Sequence, residues 1–247
     1  IGCAVSLAVG AAFWPRGVSS VVGDDLADAF RSGAAYLTQA VDWALSELMV
    51  PPAAAAAAVS AGLRLDDAVR GFLTEQGSKR LSKEDLWTLV NASTRLRLSA
   101  YTLAGLRTAV PDPGGAAPGT VPGVACLPLP GSDEYAGAPA CTSLRSVAVS
   151  LAGFYGAVAD EVSRPGSGEL TPVPAPAMTG PAMPRHPAFG TVTETAGGPE
   201  VISPAHQLPH PHLLWVQEHL HHLGTSAQTV SEPALHMAEI RQRPWWR

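Results

Sequence analysis

Charged side chains are scarce in this chain. Asp, Glu, Lys and Arg make up only 15% of its 247 residues, and an excess of acidic over basic residues sets the formal net charge at -5. No basic stripe follows any part of the sequence, and nucleic-acid binding depends on such a positive surface. We therefore expect no nucleic-acid partner.

Cysteine is also rare. The chain has three cysteines, Cys3, Cys126 and Cys141, too few for the disulfide framework of a small secreted domain. Cys126 and Cys141 lie close enough in sequence to pair, but a cytoplasmic location would keep them reduced. We expect free thiols without a function of their own.

Sequence patterns that mark common enzyme classes are missing. The chain contains no G-x-x-x-x-G-K phosphate loop and no G-x-S-x-G nucleophile elbow. The adjacent pairs Asp24-Asp25 and Asp66-Asp67 do not replace them, because neighbours on a helix point about 100° apart and cannot converge on one ligand. Solvated helix faces explain these pairs better. The sequence predicts neither an enzyme nor a cofactor.

Long uncharged runs are absent except at the start of the chain. Residues 1–14 carry no charge, although a full membrane span needs about 20 apolar residues. The basic residues that precede a signal-peptide core and a small-residue cleavage site are both missing. We interpret residues 1–16 as the truncated end of a last transmembrane helix. A buried core helix of a soluble protein is the alternative.

The end of this run has the composition of a membrane interface. Phe13 and Trp14 fit an interfacial aromatic belt, and Pro15 breaks the helix because it has no N–H to donate. Arg16 is the first charge, and basic residues beside a span favour the cytoplasmic side. We therefore predict that these four residues contact the lipid bilayer, and that most of the following chain is cytoplasmic in a cell-membrane protein.

Beyond residue 17, apolar residues recur every three or four positions, which is typical of amphipathic helices. The longest stripe consists of Val18, Val22, Leu26, Phe30, Gly33, Leu37, Val41, Ala44 and Leu48. Further helices are predicted over 53–76, from Ser82 to about Arg107, over 142–163, through 213–223 and over 233–243. Because strand signals are weak, the predicted fold class is all-α.

Two of these helices carry more specific predictions. The helix over 53–76 is predicted to bury an apolar side formed by Val59, Leu63, Val69, Phe72 and Leu73. The next helix is predicted to begin with a capping box, in which Ser82 is the N-cap and Asp85 takes the place of the usual Glu.

Pro and Gly concentrate in the second half of the chain and divide it into segments. Short turns between the first helices indicate an antiparallel cytoplasmic helical bundle. The predicted organisation is the end of a transmembrane helix at 1–16, the bundle at 17–108, a Pro/Gly-rich connector at 109–140, a bundle helix at 141–163, a disordered linker at 164–209 and a C-terminal helix pair at 210–247.

Histidine is concentrated near the end of the chain, at His206, His210, His212, His219, His221, His222 and His236. On a helix, His219 and His222 share a face at i,i+3 and are candidate metal ligands. Their spacing differs from H-E-x-x-H, and no cysteine lies near enough to complete a usual zinc site. Solvated histidines on helix faces are favoured, so no metal site is assigned.

Four arginines, Arg64, Arg70, Arg95 and Arg97, are spread over two predicted helices. Contact with anionic lipid headgroups or with anionic substrates is one interpretation of them. Salt bridges along the helix surface are the favoured alternative.

Several stretches resemble one family of membrane proteins. Residues 2–17, G-C-A-V-S-L-A-V-G-A-A-F-W-P-R-G, resemble the end of the last span in actinobacterial members of the fusaric-acid-resistance (FUSC) family, and residues 21–30, V-V-G-D-D-L-A-D-A-F, are similar to the segment after that span. Residues 213–223, L-L-W-V-Q-E-H-L-H-H-L, and 232–247, E-P-A-L-H-M-A-E-I-R-Q-R-P-W-W-R, resemble the family's tail. The likeness covers 1–108, 142–163 and 211–247.

The resemblance implies an integral membrane protein with spans upstream of residue 1 and a helical cytoplasmic domain. It implies export of aromatic acids or similar small organic compounds, with the lipid bilayer and the chain's own upstream transmembrane domain as partners. It supplies no catalytic residue. The alternative is a membrane-attached helical scaffold or oligomerisation module without transport, in which the stripe from Val18 to Leu48 contacts a partner helix, for example in a homo-oligomer.

Overall fold

The computed structural model describes residues 18–45, 50–74, 82–106, 138–164 and 211–242. Within these ranges the regular structure is entirely helical, which confirms the predicted all-α class. The described helices are α1 (Val18–Ala44), α2 (Ala54–Thr74), α3 (Lys83–Leu106), α4 (Ala138–Ser163), α5 (Pro211–Ala227) and α6 (Ser231–Gln242).

Some predicted segments lie outside the described residues. These are 1–16 with Phe13, Trp14, Pro15 and Arg16, and nearly all of 109–140 and 164–209. Helix α4 begins at Ala138. Its residues 138–140 fall in the predicted connector, because the helix is predicted over 141–163. Of the helices in the described ranges, none is long and apolar enough to cross a membrane.

Helix α1 lies at the centre of the hydrophobic core. Its main neighbours are α2, α3 and α4, and the predicted stripe is buried at each position from Val22 to Ala44. Because three helices cover α1, it buries more than a single stripe. The additional buried side chains include Ala27, Ala34, Tyr36, Ala40 and Trp43.

Helix α2 runs in the opposite direction to α1. The Gln39 side chain accepts a hydrogen bond from the Ala54 amide at 2.9 Å, which joins the end of α1 to the start of α2. Further along α2, Arg64 lies 3.6 Å from Asp25, near the start of α1. These two contacts orient α2 along the central helix.

The predicted buried side of α2 is wrong in part. Val69 and Phe72 are buried, but Val59, Leu63 and Leu73 are 43%, 58% and 44% exposed. The buried side instead combines small residues with larger apolar ones. The buried residues are Ala58, Ala61, Gly62, Leu65, Val69 and Phe72.

Helix α3 begins at the predicted N-cap, while the carboxylate of Asp85, the second member of the predicted capping box, lies 3.2 Å from His236 Nδ1. The Ser82 hydroxyl accepts a hydrogen bond from the Glu84 amide at 3.1 Å, as an N-cap should. The helix runs parallel to α1: Leu96 lies against Gly33, and the Trp43 indole donates to the Ala104 carbonyl at 3.1 Å.

Helix α4 packs on α1 in the opposite direction. Arg31 donates to the Asp160 carboxylate at 3.0 Å, whereas Arg145 donates to Asp42 at 3.0 Å. The early part of α1 therefore meets the late part of α4, and the two ion pairs fix their alignment.

Candidate functional site

A groove lies between α3 and α5, with a cavity of about 500 Å³. Helix α3 contributes Arg95, Leu98, Ser99 and Thr102 to its lining. Helix α5 and the turn after it contribute His219, His222, Leu223, Thr225, Ser226 and Thr229. We call this cavity the α3–α5 groove. Its volume falls in the range of small-molecule sites, about 300–1,000 Å³.

Arg95 provides the fixed positive charge of the groove. Its Nη1 donates to the Ser226 hydroxyl at 3.1 Å, across the gap between the two helices. A guanidinium has five N–H donors, so this bond engages one of them. A serine hydroxyl that accepts this bond can still donate its own hydrogen.

The two histidines of the groove are held by residues one turn earlier on α5. His219 Nδ1 lies 3.0 Å from the Trp215 carbonyl oxygen, and the ring centroids of His219 and Trp215 are 5.9 Å apart. His222 Nε2 lies 2.9 Å from a carboxylate oxygen of Glu218. These contacts orient both rings along the helix surface.

The candidate metal ligands His219 and His222 both line the groove. Among the described residues, no group of three His, Cys, Asp or Glu side chains is arranged to hold a metal ion. His236 lies on α6, where its Nδ1 is 3.2 Å from the Asp85 carboxylate of α3. His206 and His210 lie outside the described residues, as does the side chain of His212.

Tyr155 connects the groove to the core. Its hydroxyl donates to the Leu223 carbonyl at 3.3 Å, and its ring stacks on Phe30 with centroids 5.6 Å apart. Burial raises the pKa of Tyr155 far above its usual value, and the charge of Arg95 offsets this only in part. The phenol therefore stays protonated and serves as a donor.

A polar contact formed by Arg241 holds the end of α6. Arg241 donates to the Val162 carbonyl of α4 at 2.6 Å and to the Asp24 carboxylate of α1 at 2.7 Å. Gly23 leaves the space that the guanidinium occupies, since a Cβ there would collide with Arg241 Nη1. We call this the Arg241 contact, and it ties three helices together.

The acidic pairs predicted to be solvated differ in their surroundings. Asp25 is half-buried, and the expectation of a solvated side chain is therefore wrong for it. Burial raises the pKa of Asp25 above its usual value, and the nearby Arg64 guanidinium offsets part of this rise. Asp24, which is exposed, binds Arg241. Asp67 is exposed, 3.6 Å from Arg70.

The four arginines singled out in the sequence have separate roles. Arg64 bridges α2 to α1 through Asp25, and Arg70 forms the expected ion pair along its own helix. The Arg97 side chain lies against Gly62 of α2. Of the four, Arg95 is the one that lines the α3–α5 groove.

Cys141 is buried and disulfide-bonded to a partner outside the described residues. The prediction of a free thiol is therefore wrong for this residue. The prediction assumed that a reducing cytoplasm would keep the cysteines as thiols. From the sequence alone, a pairing of Cys126 with Cys141 was also possible.

The groove was not predictable as a unit. The sequence pointed to Arg95 on one helix and to His219 and His222 on another, but no spacing rule relates helices so far apart in the chain. Comparisons of the chain with protein-family models, with curated proteins and with solved structures find no match.

Proposed function

We propose that this chain is the C-terminal cytoplasmic region of a FUSC-like membrane transporter, which exports aromatic acids or similar small organic compounds without catalysing a reaction. The observation that carries the proposal is the resemblance of residues 2–17 to a membrane exit, together with that of 213–223 and 232–247 to the family's tail. The substrate path lies mainly in an upstream membrane domain.

The packing of the tail supports this proposal. Helices α5 and α6, which contain most of the tail resemblance, pack against α3 and α4 rather than standing apart. The proposed domain is an antiparallel cytoplasmic bundle at 17–108 and 141–163, closed by the pair at 210–247. The Pro/Gly-rich connector at 109–140 and the disordered linker at 164–209 stay predictions.

The proposed membrane contact is formed by Phe13, Trp14, Pro15 and Arg16, with Arg16 on the cytoplasmic side. The disulfide of Cys141 bears on this placement, because disulfides are rare in the reducing cytoplasm. Alkylation of intact cells before lysis tests this placement. A cytoplasmic location requires Cys141 to be labelled as a thiol in growing cells, and a bond found oxidised there contradicts this placement.

Fractionation of the natural full-length protein tests membrane insertion. We expect it to sediment with membranes and to stay there after an alkaline carbonate wash, which strips peripheral proteins. A fragment over residues 18–247 is the matched control and should be released by the wash. Release of the full-length protein into the soluble fraction contradicts the proposal.

A membrane-attached helical scaffold or oligomerisation module is the alternative function. From Val22 to Ala44, the stripe of α1 is covered by helices of the same chain, which favours a role in the chain's own core over contact with a partner helix. The two functions still differ in one consequence. Only transport makes the accumulation of aromatic acids in cells depend on this protein.

A further inference from the structure

The α3–α5 groove combines one strong cation with a mainly apolar wall. Arg95 supplies the positive charge, and Leu98, which is 53% exposed, supplies apolar surface. Of the described residues that line the groove, none is Asp or Glu. Glu218 lies beside it, where its carboxylate is 2.9 Å from His222 Nε2.

The threonines of the groove add to its apolar character. Thr102 donates its hydroxyl hydrogen to the Leu98 carbonyl at 2.9 Å, Thr225 to the His221 carbonyl at 3.1 Å and Thr229 to the Ser226 carbonyl at 2.8 Å. Because these hydrogens are used within the chain, the threonines offer a ligand methyl groups and acceptor oxygens rather than donors.

Apart from the ring nitrogens of His219 and His222, the free donors of the groove are concentrated at one place. Arg95 and the Ser226 hydroxyl lie 3.1 Å apart, and Ser99 lies one helical turn beyond Arg95 on α3. An arginine fork matches the two oxygens of a carboxylate. A phosphate dianion, which carries more charge and more acceptor oxygens, calls for more cations and donors than this cluster provides.

We propose that the α3–α5 groove binds a small organic carboxylate, with its charged group on Arg95 and Ser226 and its apolar body against Leu98 and the threonine methyl groups. This site lies in the helical domain. The inference does not depend on the proposed transport function, because binding to the isolated chain is independent of membrane insertion.

Isothermal titration calorimetry on the whole chain tests the site. The probes are hexanoate, hexan-1-ol as an uncharged molecule of similar shape, and inorganic phosphate. We expect hexanoate to bind more tightly than either of the others. Arg95→Gln should weaken hexanoate binding by about tenfold or more, the loss typical of a charge-assisted hydrogen bond.

Arg70→Gln is the matched control, because it removes the same charge from an exposed position on α2. It should leave hexanoate binding unchanged. Arg95→Lys keeps the charge but not the fork, so it should weaken binding less than Arg95→Gln. Circular dichroism melts of the three variants should match that of the natural chain, because both arginines are exposed.

Four results overturn the proposal. The natural chain does not bind hexanoate, or the Arg95→Gln variant binds it as tightly as the natural chain does. Alternatively, the Arg70→Gln variant loses as much affinity as the Arg95→Gln variant, or hexan-1-ol or phosphate binds to the natural chain as tightly as hexanoate. Each of them leaves the fractionation result untouched, so the failure of this site is distinguishable from failure of the proposed function.

Discussion

At residue 23 the absence of a side chain makes room for Arg241. A Cβ at this position would occupy the space of the guanidinium, which bonds to both Val162 and Asp24. Gly23→Ala should therefore displace the flexible end of Arg241 and lower the free energy of unfolding by about 1 kcal/mol, because the lost hydrogen bonds outweigh the better helix propensity of alanine. Urea unfolding followed by circular dichroism measures this loss.

Gly153→Ala is the control for that substitution. Gly153 is an exposed residue of α4, and a Cβ there would have no atom within 4 Å. Alanine favours a helix interior over glycine, so this variant should be more stable than the natural chain by about 0.5–1 kcal/mol. Equal effects of the two substitutions would contradict the role assigned to Gly23.

Tyr155 gives the chain a specific response to alkali. Burial raises its pKa above the value near 10 of an unfolded chain. Above about pH 10 the unfolded state therefore loses the phenolic proton while the folded state keeps it, and stability falls as pH rises. Urea unfolding at about pH 8 and about pH 10.5 should show this fall, and Tyr155→Phe should reduce it.

The Tyr155→Phe variant separates this effect from a loss of packing. It also removes the hydrogen bond to the Leu223 carbonyl, which should cost about 1 kcal/mol at neutral pH. Tyr36 has a raised pKa for the same reason, burial, so some dependence on pH should persist in the variant. An unchanged difference between the two pH values would show that Tyr155 does not titrate in this way.

At the scale of elements, the attachment of α5 to the core can be measured at one leucine. Leu220 is fully buried, so Leu220→Ala should lower the free energy of unfolding by about 2–5 kcal/mol. Leu235 on α6 is 48% exposed, and Leu235→Ala should change the free energy of unfolding by less than about 0.5 kcal/mol. If urea unfolding shows the same stability for both variants, α5 does not pack as described.

The elements also show what local pattern can predict. Helix α1 was predictable because its apolar residues are large and regularly spaced, and Ser82 was predictable because a cap is a local device. The buried side of α2 was predictable only in part, because Ala58 and Ala61 are buried while the larger Val59 and Leu63 are exposed. Hydropathy ranks valine and leucine above alanine, whereas close helix packing here favours the smaller side chain.

At the scale of the whole molecule, contacts between distant segments were beyond prediction. Arg95 and Ser226 meet across the groove, and Arg241 reaches Asp24 near the opposite end of the chain. Such pairings depend on how the helices pack together, which no local spacing determines. The transport proposal also belongs to this scale, since it concerns a membrane domain to which these helices would be joined.

The most direct test of that proposal is the accumulation of a labelled aromatic acid, such as benzoate, in cells that lack the protein. The matched control is the same strain carrying the natural full-length gene. We expect higher accumulation without the protein and restoration of the lower level by the natural gene. Equal accumulation in the two strains would contradict the assignment to a transporter.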